Sequence, residues 1–157
     1  MKHMFLGAVA AIALGSAVDA QQLPVPYGGP ITLEQAKTIV AAAEQSARTR
    51  NLTMAFAVVE PSGELVLFHK MDGTQYGSDL VAREKARTAA RFKRSTKAFF
   101  DSIAGGRNAV LSLPGVVAIE GGTPIVINGR IVGAIGVSGG SSEQDGEVAA
   151  AALLGLD

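Results

Sequence analysis

The stretch from Gly121 to Gly140 constrains the fold more than any other part of the chain. Two apolar runs, Thr123–Ile127 and Arg130–Val137, are separated only by Asn128-Gly129. A two-residue type I′ turn requires positive φ at both central positions, and Asn-Gly is the pair that meets this most readily. The second run passes directly into Ser138-Gly139-Gly140-Ser141-Ser142. This predicts a β-hairpin whose last strand delivers a glycine turn to the start of a helix. Unpaired backbone N–H groups at such a start can hold an anion, which marks Gly139, Gly140 and Ser141 as candidate binding residues. An ordinary serine-capped connection has the same sequence, so both readings stay open.

At the other end, Lys2 and His3 precede an apolar run from Phe5 to Leu14, and Val18-Asp19-Ala20 supplies small residues at a cleavage position. The run is too short to span a bilayer. The pattern predicts a signal peptide over residues 1–20, cut after Ala20, and hence a secreted or periplasmic protein. The chain contains no cysteine, so a lipoprotein anchor and disulfides are both excluded. Residues 21–31 are rich in Pro and Gly and are expected to be a linker, leaving 32–157 as one domain. With 48% hydrophobic and 18% charged residues, the chain can bury a sizeable core. Fourteen basic residues balance fourteen acidic ones, which argues against general nucleic-acid binding. No second apolar run is long enough for a membrane span. Abundant Gly and Ala favour close backbone approach or subunit assembly.

Local signals order the elements. Thr32 caps a helix, with Gln35 completing a capping box, and Leu33, Ala36, Val40, Ala43 and Ala47 line one face as far as Arg50-Asn51. Met54–Glu60 and Glu64–Met71 are strands joined by the turn Pro61-Ser62-Gly63. Ser78 is expected to cap a helix reaching Phe92, with a small face of Ala82, Ala86, Ala89 and Ala90. Another helix starts at Ser95 or Thr96 and breaks at Gly105-Gly106. Val110–Leu113 is a short helical turn, Val116–Ile119 a further candidate strand, and Ser142–Leu154 the final helix. Hairpins predominate, so the sheet should be antiparallel, with helices packed on it in a small α/β or α+β layer fold.

Few side chains suggest chemistry. Gly136-Val137-Ser138-Gly139-Gly140 matches a nucleophile-elbow pattern, but no histidine follows Ser138, and a serine without a base is not activated. His69 is the only histidine after residue 20 and cannot build a closed zinc site. It could serve as an axial haem ligand, with Met71, Met54, Tyr27 or Tyr76 as other donors, or sit half-buried and bonded to a carbonyl. Arg83, Arg87, Arg91 and Arg94 form a helical stripe suited to clamping carboxylates or to lying solvated. Glu143 and Glu147 share a helix face and could chelate a hard or borderline metal, but the favoured explanation is the simple preference for acidic residues in a helix's first turn.

Three blocks resemble one family. They are Ala55–Val66 with His69–Gly73; Lys85–Phe92; and Leu113–Val116 with Glu120–Ile125, Gly133–Gly140 and Glu143–Asp145. In that order they resemble the GlcG/HbpS-like group of haem-binding, sometimes called haem-degrading, proteins. Glu60 and Ser95 depart from the family's usual Asp and Pro, both at turns. The resemblance implies a profilin-like fold, an antiparallel sheet flanked by helices, and a homo-oligomer. It implies binding of haem or a related tetrapyrrole, in some members feeding an exported sensor partner. The expected function is an exported haem-binding protein for sensing, storage or breakdown, with His69, Met71, Tyr76, Arg87, Arg91, Gly139, Gly140 and Ser141 as cofactor-binding candidates and His69 as candidate iron ligand. The alternatives are an accessory or enzymatic protein that binds a small organic acid or other anion, and an oligomeric partner of an exported sensor.

Overall fold

The computed structural model describes residues 24–156. The expected signal peptide therefore lies outside the described residues. The element order is α1 (Leu33–Thr49), β1 (Ala55–Val59), β2 (Leu65–Lys70), α2 (Ser78–Phe92), α3 (Thr96–Ala104), a 3-10 turn (Asn108–Ser112), β3 (Gly122–Ile127), β4 (Arg130–Ser138) and α4 (Ser142–Ala152). The four strands form one antiparallel sheet in the order β2-β1-β4-β3. Asn128 and Gly129 both have positive φ, 51° and 69°, as the β3–β4 hairpin turn requires. Thr32 and Gln35 make both halves of the capping box on α1.

Alternation along the strands divides the core in two. Phe56 and Val58 of β1, with Ile125, Ile135 and Val137, pack on Ile39, Val40 and Ala43 of α1 and Val148 and Ala149 of α4. The opposite face carries Ala55, Ala57, Val59 and Ala134, which meet Ala82, Ala86, Ala89 and Ala90 of α2. β1 is buried on both faces, which is why all five of its residues are apolar.

Three expectations are corrected. Ser78 does not cap α2; Gly77 occupies that position without a side-chain bond, and the Ser78 hydroxyl is buried 3.1 Å from Ser138 Oγ. Val116–Ile119 forms no strand. It is tied to α2 through Thr88, whose hydroxyl accepts from Val117 N (3.0 Å) and donates to Gly115 O (3.2 Å). Such side-chain bonds replace a ladder for these main-chain groups.

The Pro/Gly-rich segment is also not free over its described part. Gly28 N donates to Ile131 O, Ile131 N to Pro26 O and Ile31 N to Val132 O, all within 2.8–2.9 Å. This strap lies beside the first half of β4, where β1 has already ended at Val59 opposite Ala134. Tyr27 reaches from it to donate to Ala90 O (2.8 Å) and Arg91 O (3.0 Å). Those carbonyls belong to the last turn of α2 and have no intrahelical donor. Burial pushes the Tyr27 hydroxyl pKa up. Replacing Tyr27 with Phe should remove about 1 kcal/mol of stability. A urea midpoint unchanged by Tyr27→Phe would show that the strap does not depend on this cap.

Candidate functional site

The end of the sheet where β2 stops and α2 begins carries an open cleft of about 420 Å³, lined by residues 70–76. Local bonds shape its wall. Met71 N donates to Met54 O at 3.0 Å, continuing the β1–β2 pairing by one residue. The chain then turns through Gly73, at φ 79°. The buried Thr74 hydroxyl donates back to Met71 O at 2.8 Å. Gln75 Nε2 donates to Ser78 Oγ, joining the loop to the start of α2. The result is a backbone held by its own bonds, with Tyr76 projecting and 91% exposed. The Lys70 ammonium lies 4.9 Å from the centre of the Tyr76 ring. Beside it the Arg83 guanidinium lies 4.6 Å from the centre of the Phe68 ring.

The candidate residues do not all meet here. Met71 and Tyr76 line the cleft, but Met71 is only 7% exposed. His69 points to the other face of the sheet, stacked on Phe56 at 6.0 Å between ring centres. Its Nε2 is 3.1 Å from Glu44 Oε2 on α1. Arg87 and Arg91 stand at the far end of β2. Arg87 Nε donates to Gly63 O (3.2 Å) and Arg91 Nε to Ser62 O (2.8 Å), so both hold the β1–β2 turn. Arg94 leaves the stripe, because Lys93 adopts a left-handed conformation at φ 56° and ends α2.

The glycine turn is supplied from within. Gly140 N donates to Asp145 Oδ1 (2.9 Å) and Ser141 N to Gln144 Oε1 (2.9 Å), while Gln144 N donates to Ser141 Oγ (3.3 Å). The anion at this helix start is the side chain of Asp145, itself 3% exposed. Its second oxygen lies 2.7 Å from Lys85 Nζ, and Lys85 also donates to Val137 O at 3.1 Å. Burial raises the Asp145 carboxyl pKa, opposed by the Lys85 ammonium and the Gly139 and Gly140 N–H groups. This buried pair escapes a reading of the sequence built on exposed clusters. A signal exists all the same: Lys85 falls three residues after Ala82 and four before Ala89, inside the buried face of α2.

Glu143 and Glu147 do not converge on a metal. Glu143 is exposed and Glu147 lies 3.6 Å from Arg50. Among the described residues no group of three or more His, Cys, Asp or Glu could hold an ion. Ser138 is buried beside Ser78, with no base in contact. The β2–α2 cleft thus offers aromatic surface and a cation to a ligand, and among the described residues no activated nucleophile is present.

Comparison with known proteins identifies the family and the fold. The family described as "Haem degrading protein HbpS-like" matches residues 31–154. Protein GlcG of Escherichia coli (strain K12) is 37% identical over 108 residues, 69% of this chain and 81% of that protein. A double mutant of Streptomyces reticuli HbpS superposes with a TM-score of 0.75 at 28% identity, covering 96% of this chain and 99% of that one. A PduOC:haem complex superposes with a TM-score of 0.71 at 26% identity, covering 79% of this chain and 93% of its own. Antiparallel sheet, flanking helices and the matched span all lead to the same place: the chain belongs to the HbpS-like family.

Proposed function

We propose that this protein binds haem in the cleft at the end of β2, as an exported protein. The observation that carries the reading is the cleft itself: an open cavity of about 420 Å³ with an almost wholly exposed Tyr76 ring on its wall and the Lys70 ammonium above that ring. The volume lies within the ordinary range for ligand sites. The residues present fit the group, because a tyrosine oxygen is an established donor to haem iron and a lysine suits a propionate. The PduOC:haem complex shows that a protein of this fold takes haem. When bound, haem supplies its own redox chemistry, including any breakdown. The chain's residues orient it: Tyr76 offers an oxygen and a flat apolar wall, Met71 closes the floor, and Thr74 keeps the loop in place.

Between the two donors, geometry favours Tyr76 over His69. The Tyr76 hydroxyl makes no hydrogen bond among the described residues, whereas His69 is engaged by Glu44 and faces α1. The test is a haem titration of the purified protein followed by absorption. The native chain should develop a Soret band. Tyr76→Phe should shift the band and weaken binding about tenfold, and His69→Ala should leave both unchanged. A native protein that gives no band rejects the haem reading, and loss in His69→Ala alone reverses the donor assignment.

Export is supported by the basic-apolar-small pattern of residues 1–20. No helix among the described residues is long and apolar enough to cross a membrane. A role in haem sensing or storage follows from such a location, with a homo-oligomer or an exported sensor as partner. The exposed side chains of Phe100, Leu111, Leu113 and Ile119 supply apolar surface for such contacts.

A further inference from the structure

We propose that Lys70 and Arg83 form a two-cation clamp for the paired carboxylates on one edge of a flat aromatic ligand, the propionates when that ligand is haem. This deepens the haem reading and rests on it. Residues 68 and 70 are alternate positions of β2 and so share one face, about 7 Å apart along the strand. One carries Arg83 on its ring, and the other carries a cation of its own above the Tyr76 ring. Two positive groups, each over an aromatic ring, thus stand on one face of β2, the Lys70 group in the cleft wall and the Arg83 group over Phe68. A ligand with two acidic arms on a common edge has a partner for each arm, whereas a single carboxylate engages only one.

The other arginines of the helix have no such freedom. Arg87 and Arg91 spend their Nε groups on the carbonyls of Gly63 and Ser62. Arg83 Nε is buried and has no hydrogen-bond partner among the described residues. One terminal nitrogen of Arg83, Nη2, lies 2.7 Å from Asp79. This carboxylate holds the guanidinium over the Phe68 ring, but it also competes with an incoming anion. Asp72, in the cleft wall, is the second negative group facing the site. The local balance is therefore two cations against two carboxylates. Ligand affinity should depend on Asp79 as much as on the cations.

The experiment is an equilibrium titration of the full mature chain with three probes in one detergent buffer: haemin, metal-free protoporphyrin IX, and protoporphyrin dimethyl ester. Lys70→Met and Arg83→Gln should each weaken haemin and protoporphyrin about tenfold, and Asp79→Asn should tighten both several-fold. The ester, which lacks the charges, should bind native protein and variants alike. Raising the salt concentration should reduce the native advantage for the free acids. Variants that bind both free acids as tightly as native protein overturn the clamp and leave the haem reading intact. Equal losses for acid and ester overturn it as well, because they point to packing. Native protein that binds none of the three rejects the haem reading and the clamp together. If Arg83→Gln fails to fold, Lys70→Met and Asp79→Asn still give opposite signs, or the proposal fails.

Discussion

Lys85→Met should destabilise the protein by about 3–5 kcal/mol, a large share of what a domain of this size has. Lys85 is 1% exposed, and its ammonium is shared between Asp145 Oδ2 and Val137 O. Methionine fills the same space and removes the charge. What remains is a buried carboxylate held by backbone N–H groups at Gly139 and Gly140 alone. The cost arises from that stranded charge more than from the lost bond. Two consequences separate this account from poor packing. Adding Asp145→Asn neutralises the stranded group while keeping an acceptor for Gly140 N, so the double variant should recover a good part of the loss. The single variant should also respond to acid. Without Lys85, the Asp145 carboxyl rises further above its unfolded value. A group with a raised folded pKa contributes stability that is present below the unfolded pKa and lost as pH rises through the folded one. The gap between native protein and Lys85→Met should therefore narrow as the pH falls from neutral into the carboxylate range. Urea melts across that range test it, and a gap that stays constant or widens in acid excludes the stranded charge as the cause.

This pair also shows which parts of the molecule a linear reading reaches. The Thr32–Gln35 capping box and the Asn128-Gly129 turn are local, each bond spanning a few residues, and both are legible. The small face of α2 is legible for the same reason, since a 3.6-residue period is written in adjacent turns. Lys85 and Asp145 are sixty residues apart, and nothing near either one announces the other. The strap at residues 26–31 has a linker's composition but bonds through its main chain, which composition does not encode. The arginine stripe has the right spacing on the helix, yet Arg83 lies over Phe68 of β2 while Arg87 and Arg91 lie at the β1–β2 turn. Helical spacing shows that side chains share a face. It does not show which end of the sheet each one meets.

Gly136→Ala should cost about 3 kcal/mol or more, and Gly136→Val should prevent folding at ordinary temperature. A Cβ at position 136 would stand 2.0 Å from Ala82 O and 2.6 Å from Ala86 N. Both are backbone atoms of α2, so no side-chain rotation relieves the contact. Either the helix moves off the sheet or β4 leaves its register with Ala57 and Gly122. Gly122 and Gly133 are built in the same way, each placing a Cβ within 2.4 Å of a carbonyl oxygen, Lys85 O and Val59 O respectively. Gly77→Ala is the control, because it has open space and a helical φ of −63° and should change stability little. Comparing thermal midpoints of the two alanine variants tests the idea, and similar losses at 77 and 136 would reject it. If the contrast holds, the resemblance in Lys85–Phe92 and Gly133–Gly140 has a structural origin. Glycines on the sheet let an alanine-faced helix approach closely enough for Lys85 to reach Val137 O and Asp145. These two blocks then set the spacing between α2 and the sheet.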